Sequence, residues 1–379
     1  MFKLDLYIIL PAVTLVLVGL TMITSASLHV AESYNLPVWY FAVRQTVYFV
    51  FGLLISLFLS RFDILELRQW SARLLLLVVF FLFLILIPGV GHKVNGSVRW
   101  LNLGFFTVQV SEFLKLIIIF YVADLLLRNH SRLKTSFKPH LSLLIVWLTI
   151  ACLLLKEPDF GSLVVILLST GIMWFLVGCR LRYILLATLF GAFGICGMIW
   201  FAPYRMQRLT TFFHPWQHAF DSGYQLTQSL IAFGRGGIWG SGLGTGLQKQ
   251  FYLPEAHTDF LFAVICEELG FFGGVAVLLL FFILISRCLL IAKKACNLDA
   301  YFHGLICYGI AFWFTVQCAI NLSVNMGLLP TKGLTLPLVS YGGSSLMISI
   351  LAVTVILKIK YELDTRSRLY LQSVTNWGR

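Results

Sequence analysis

The stretch LPEAHTDFLFAVICEELG, residues 253–270, holds four carboxylates and an imidazole: Glu255, His257, Asp259, Glu267 and Glu268. A carboxylate within hydrogen-bond reach of a weakly nucleophilic hydroxyl can take its proton as the hydroxyl attacks, so these residue types suit general-base chemistry. The stretch also runs into a long apolar segment. Charges at or inside such segments are costly to bury and are functional-site hypotheses by default. On a helix through 255–267, Asp259 would stand one turn from Glu255, with Glu267 two turns further on and offset by about 80°. Glu268 would point roughly opposite to Asp259 and reads as structural.

Three other edges carry polar residues. In NGSVRWLNLGFFTVQVSEFLK (95–115), Arg99 could grip a phosphate through two donors and Trp100 could offer a flat face to lipid or sugar. The plain alternative is an interfacial anchor. Glu112 and Lys115, spaced i,i+3, share a helix face and can form a structural ion pair or line a cavity. In KEPDFGS (156–162), Pro158 breaks two apolar runs and leaves Lys156, Glu157 and Asp159 on a turn, either solvated or facing a shared opening. NMGLLPTKGLTLPLVSYGGSS (325–345), with two prolines, four glycines, Lys332 and Ser344, is poorly suited to regular helix. Irregular backbone at membrane depth is tolerated only under a cover of protein or a water-filled cavity. These elements are therefore expected to close around one outer cavity, with Asp259 in its wall and Arg99, Trp100, Glu112, Lys115, Glu157, Asp159, Glu255, His257, Lys332 and Ser344 as candidate lining. The glycine-rich run at 233–249 lacks the preceding strand and βαβ setting of a nucleotide loop. Its glycines serve tight turns or close backbone approach to a ligand, and the sequence leaves both open.

The elements that must position these residues are membrane spans. The chain has 379 residues, 59% hydrophobic and 12% charged, with mean hydropathy +0.89. No soluble domain of this size keeps so much apolar surface from water. The fold class is all-α, a polytopic bundle of about ten transmembrane helices. Spans are expected near 6–28, 41–60, 74–90, 107–127, 141–156, 160–178, 183–202, 259–286, 301–325 and 341–358. Continuous rather than alternating apolar runs disfavour a β-barrel. The chain reads as one integral membrane domain, with a large outer loop at about 203–258 between spans 7 and 8 and a cytoplasmic tail at about 359–379. No removable signal peptide is evident; the first run reads as the first span.

Loop 203–258 contains Trp216, Tyr224 and Trp239 and reads as ordered, with a short amphipathic helix over 224–233. Most of the 28 Lys and Arg residues fall in segments that are inside if the N-terminus is inside: Lys3, Arg61, Arg68, Arg73, Arg128, Arg132, Lys134, Lys138, Arg180, Arg182, Arg287, Lys293, Lys294, Lys358, Lys360, Arg366, Arg368 and Arg379. The net charge of +12 is thus a topology signal, and no nucleic-acid partner is expected. The eight cysteines fall in apolar runs or short inner loops without CxxC spacing, which favours neither disulfides nor zinc.

Six stretches resemble the SEDS family (shape, elongation, division and sporulation) in order and spacing: MITSAS (22–27), SVRWLNLG (97–104), EPDFGS (157–162), FGRGGIWGSGLG (233–244), LPEAHTDFLFAVICEELG (253–270) and LPTKGLTLPLVSYGGSS (329–345). PTKGLTLPL and FGRGG are most like its division branch. Two departures are Val110, where the family commonly has proline, and the smaller residues at 246–247. The resemblance implies a peptidoglycan glycosyltransferase that polymerises lipid II, a disaccharide-pentapeptide on undecaprenyl pyrophosphate. It implies a class B penicillin-binding protein partner supplying transpeptidation, contact with other divisome membrane proteins and membrane lipids, and a place at the septum in the bacterial cytoplasmic (inner) membrane, both termini cytoplasmic. Asp259 matches the family's essential acid, and Trp100 matches a tryptophan implicated in handling the lipid.

An α-linked pyrophosphate donor and a β-linked product imply a single inverting displacement needing one base. The departing pyrophosphate would be stabilised by Arg, Lys or a divalent cation, magnesium or manganese, and no other cofactor is implied. Rival readings are a lipid II flippase, favoured by Glu112 and Lys115 inside a span; a scaffold that activates a transpeptidase; and a small-solute transporter.

Overall fold

The computed structural model describes residues 5–94, 97–102, 104, 106–133, 136–200 and 210–377. Lys3, Lys134, Arg379 and the first part of the expected loop, 203–209, lie outside the described residues, as do the side chains of Cys196 and Arg368.

The elements run α1 (Leu6–Ser33), α2 (Tyr40–Leu59), α3 (Ile64–Ile85), β1 (Gly91–Val94), β2 (Ser97–Asn102), β3 (Thr107–Gln109), α4 (Val110–Arg128), α5 (Lys138–Lys156), α6 (Phe160–Leu176), α7 (Leu181–Trp200), α8 (Tyr224–Gly236), α9 (Leu261–Asn297), α10 (Tyr301–Asn325) and α11 (Gly343–Trp377). A helix answers each expected span, and α8 lies within the long loop where an amphipathic helix is expected. Helices α1, α2, α3, α5, α9 and α10 are each long and apolar enough to cross a membrane. The others are shorter or more polar: α6 has 17 residues, and α4 carries Glu112, Lys115 and Asp124. The protein is a helical, multi-pass membrane bundle. Helix α9 packs on α1, α8 and α10; α10 also meets α4 and α6; α11 lies along α2.

The ends follow ordinary capping chemistry. Asp5 accepts from the Tyr7 amide at 3.1 Å at the start of α1. Asp63 and Glu66 form a reciprocal capping box on α3.

Two features depart from the sequence expectation. Residues 107–109, expected within span 4, instead form β3 of an antiparallel sheet β1-β2-β3, in which Trp100 pairs with His92 and Gln109. Helix α4 begins at Val110, its first helical residue, where proline is also well tolerated. Val110 in place of the family's proline therefore fits the same local structure.

The second departure is in α9, which is not continuous. Gly270 adopts φ 69°, ψ −165°, breaking the helix after its first turns. The glycine-rich loop packs there backbone to backbone: a β-carbon on Gly236 would lie 1.9 Å from the Cys266 carbonyl oxygen, and one on Gly240 would lie 2.2 Å from that of Glu268. Close approach is thus made to the chain's own helix.

Candidate active site

Asp259 sits in a stretch of turns that ends where α9 begins at Leu261. Residues 255–260 are not helical, and Glu255 has φ +56°, so the helical spacing expected between Glu255 and Asp259 does not hold. Glu255 instead closes a local turn, its Oε2 accepting from Thr258 Oγ1 at 2.8 Å. Asp259 is half-buried and crowded by protein: its Oδ2 is so near Gly333 that a β-carbon there would approach to 2.9 Å. Burial, reinforced by the Glu255 carboxylate and opposed by Arg99, pushes its carboxyl up to about 7. His257 is buried between Phe41 and Tyr341, with ring centroids 4.9 and 5.5 Å away, and its carbonyl accepts from the Tyr341 amide at 3.0 Å. Burial lowers the pKa of this imidazole, against the pull of Glu255, and favours the neutral ring.

Strand β2 carries Arg99 and Trp100 to the α5–α6 turn. Arg99 donates from Nε to the Glu157 carbonyl at 3.1 Å and from a terminal nitrogen to the Pro158 carbonyl, and it stands 3.9 Å from Asp159 Oδ1. The guanidinium therefore anchors the sheet to the turn. Trp100 beside it remains half-buried.

Of the charges of that turn, Lys156 is exposed, whereas Glu157 and Asp159 are buried. Asp159 caps α6 through the Ser162 amide at 3.3 Å and accepts from Ser111 Oγ at 2.7 Å. Glu157 is fully buried, and neither carboxyl oxygen finds a hydrogen-bond partner among the described residues. Burial first, then Asp159, pushes it up to about 8 against the opposing pull of Arg99. Ser344, at the start of α11, accepts from the Gln109 amide at 2.9 Å and ties β3 to the 325–345 segment.

Deeper in the bundle, Lys115 donates to Glu112 at 2.7 Å, so the i,i+3 pair forms and is buried. Lys115 also donates to Gln317 Oε1 at 3.0 Å, while Gln317 Nε2 donates to the Thr335 carbonyl at 2.9 Å. Lys332 lies over the Phe160 ring, 4.1 Å from its centroid. The Glu112–Lys115 pair, the irregular 331–345 segment and the Asp259 turn thus meet along one face of α10. Gln317, Asn321 and Asn325 supply that face, and sequence reasoning passed them over. Their signal was a spacing of four between amides in an otherwise apolar run, which puts all three on one helix face.

Glu267 and Glu268 stand apart from this constellation. Glu267 accepts from the Leu247 amide at 2.9 Å and pairs with Arg235 at 3.3 Å. Glu268 accepts from Ser25 Oγ at 2.9 Å and the Gly244 amide at 3.0 Å, and pairs with buried Lys249. Both carboxylates hold the glycine-rich loop against α9 and α1. As for a divalent cation, among the described residues no group of three or more His, Cys, Asp or Glu side chains is placed to hold one.

The chain matches the family described as "Cell cycle protein", covering FtsW, RodA and SpoVE, over residues 5–365. It is 45% identical over 363 residues to "Probable peptidoglycan glycosyltransferase FtsW" of Coxiella burnetii, covering 95% of this chain and 97% of that protein. It is 41% identical over 345 residues to the protein of the same name in Escherichia coli, covering 91% and 83%. Among solved structures, a chain of a peptidoglycan synthase complex that coordinates polymerization and crosslinking superposes with TM-score 0.75 at 25% identity, covering 96% of this chain and 99% of that one. The rod shape determining protein RodA of Thermus thermophilus gives TM-score 0.69 at 25% identity, covering 94% and 97%. The family match takes in the Arg99–Trp100 strand, the glycine-rich loop and the Asp259 turn alike, and the chain belongs to the FtsW, RodA and SpoVE family of cell cycle proteins.

Proposed function

We propose that this protein is a peptidoglycan glycosyltransferase that polymerises lipid II at the division septum, with Asp259 as its general base. The observation that carries the mechanism is a half-buried carboxyl held at the mouth of α9, its backbone fixed by Asn321 and Asn325, and burial raises that carboxyl to about 7. A base with a pKa near the working pH combines a useful ionised fraction with real affinity for a proton. The acceptor sugar hydroxyl attacks the anomeric carbon of the donor with inversion. Its proton passes to Asp259 as the new C–O bond forms, and the bond to the pyrophosphate breaks with its electron pair leaving on the phosphate oxygen. Lys332, next to the Gly333 that crowds Asp259 Oδ2, is the cation placed to offset that charge.

A lipid-linked substrate would meet water at the outer face of the bacterial inner membrane, and this reading puts the site at that face with both termini in the cytoplasm, as the basic residues of the inner segments support. A class B penicillin-binding protein would crosslink the product, alongside other divisome membrane proteins. The likeness to a chain of a synthase complex supports a partner of that kind. A flippase reading draws on Glu112 and Lys115, but their charges are paired and held by Gln317, as in a static brace. The deciding experiment is polymerisation of lipid II by the purified protein with its transpeptidase partner, crosslinking blocked. Absence of glycan with an active partner present would sink the proposal.

Two expectations follow from the geometry. The ionised Asp259 is the active form and its carboxyl titrates at about 7, so turnover should rise with pH across that value and level off above it. A flat pH profile of kcat between 6 and 8 would contradict this. For Trp100, replacement by Phe keeps an aromatic anchor while removing the larger indole face. Trp100→Phe should therefore leave insertion intact and lower polymerisation by about tenfold, the weight of one lost contact of roughly 1.4 kcal/mol. Wild-type rates would reduce Trp100 to an anchor.

A further inference from the structure

The peptide that carries Asp259 is gripped from α10 by two buried amides. Asn321 Nδ2 donates to the Asp259 carbonyl oxygen at 2.9 Å, and Asn325 Nδ2 donates to the same oxygen at 3.0 Å. That carbonyl has two lone pairs, and the two amides occupy both. Each amide is fixed in turn. Asn321 Nδ2 also donates to the Leu334 carbonyl at 2.6 Å, and Asn325 Nδ2 to the Asn321 carbonyl at 2.8 Å. Asn325 Oδ1 accepts from the Ala263 amide at 3.2 Å, and its carbonyl accepts from Ser229 Oγ of α8 at 2.7 Å.

The Ala263 contact bears on the chemistry. Ala263 lies in the first turn of α9, and its amide is shared between the Phe260 carbonyl at 3.1 Å and Asn325 Oδ1 at 3.2 Å. The N-cap residue of α9 is Phe260, which has no side chain able to cap. Asp is among the best of N-caps, and Asp259, one residue before Phe260, is the acidic side chain nearest in sequence to the start of that helix. Such a carboxylate, accepting N–H bonds at the positive end of a helix, becomes a stronger acid and a poorer base. Here Asn325 reaches across from another helix and supplies the side-chain acceptor at Ala263, alongside the Phe260 carbonyl.

We propose that Asn325, with Asn321, is the positioning pair of the active site. Asn325 caps α9 in place of Asp259 while both amides pin the Asp259 carbonyl, so that the carboxylate stays free for the acceptor hydroxyl. The proposal rests on the reading of Asp259 as general base. An amide needed only to satisfy buried backbone would have no bearing on proton transfer, and this separates the two roles.

The test is steady-state lipid II polymerisation by the full-length protein with its partner, crosslinking blocked, across pH 5.5–9. Asn325→Ala removes cap and grip together. The Asp259 carboxylate then falls onto the α9 amides, and kcat should drop about 10- to 100-fold, the scale of an ångström-sized misplacement. KM should stay within about threefold, and the acid limb should move to lower pH. Asn325→Asp keeps an acceptor for Ala263 but sets an anion beside Asp259, so the limb should move to higher pH. Asn321→Ser, which removes a single donor, gives a milder fall in kcat and keeps the test open should Asn325→Ala not fold.

Folded variants with wild-type kcat and an unmoved limb would overturn the proposal. So would a loss of rate that only follows the folded fraction. Asp259→Asn run in parallel separates the two ideas: an inactive Asp259→Asn with normal Asn325 variants removes only the positioning role, whereas an active Asp259→Asn removes the base.

Discussion

Asp259→Asn should lower the turnover of lipid II polymerisation by about 10²–10⁴, the usual weight of a general base. The substitution is nearly isosteric, and the contacts that fix residue 259 run through its backbone carbonyl, to Asn321 and Asn325, so the turn should keep its shape. An amide also suits this crowded position, where burial already penalises the charged form. The variant is therefore expected to insert, melt at or slightly above the wild-type temperature, and hold its transpeptidase partner. The checks are glycan formation from lipid II, a thermal melt in detergent and co-purification of the partner. Full polymerisation would remove Asp259 from the chemistry; loss of insertion or partner binding would make its role structural.

The largest effect on stability is expected away from this site, at Glu268. Its carboxylate accepts from the Gly244 and Gly246 amides and sits with Ser25 and the Lys249 ammonium, and Glu268, Ser25 and Lys249 are all buried. Glu268→Ala would leave a buried, unpaired cation and free amides, a loss of about 3–5 kcal/mol for breaking such a pair from one side. Removing both charges is different in kind. Glu268→Gln with Lys249→Met should recover most of the loss, because no lone charge remains to be desolvated. Detergent melts of the single and double variants read this directly. A single variant as stable as wild type would mean that water reaches the pair.

Helix placement was legible because a span writes itself as a continuous apolar run with charged breaks, and α10 lies on its expected residues, 301–325. The Glu112–Lys115 pair was legible too, since i,i+3 geometry is local. The sheet was not: SVRWLN is too short for its alternation to stand out beside long apolar runs, and its pairing with β1 and β3 depends on turns with weak local signals. The helical register assumed through Glu255 failed because the chain turns at a positive-φ residue that no residue type announces. Gln317, Asn321 and Asn325 carry no charge, so a reading keyed to ionisable groups missed them although they organise the site. Arg99 shows the reverse. Its residue type pointed to phosphate, while tertiary contact gives its donors to the carbonyls of a neighbouring turn.

The crossing of the glycine loop over α9 bears on how this chain can vary over time. At Gly236, Gly240 and Gly270 the nearest atoms are backbone, at 1.9–2.3 Å from where a β-carbon would stand, so no neighbouring rotamer can yield room. Gly240 and Gly270 also have φ of 82° and 69°, which L-residues rarely adopt. Every coding change from glycine adds atoms, so these codons have no small step available, and drift there must wait for a second change that moves a helix. Gly234, in the same run, has nothing within 4 Å and an ordinary φ. A saturation library selected for growth should thus be sharply two-valued along a dozen residues, open at Gly234 and closed at Gly236 and Gly240. A sequence that looks like a uniformly flexible linker would behave under selection as a row of fixed points with gaps between them.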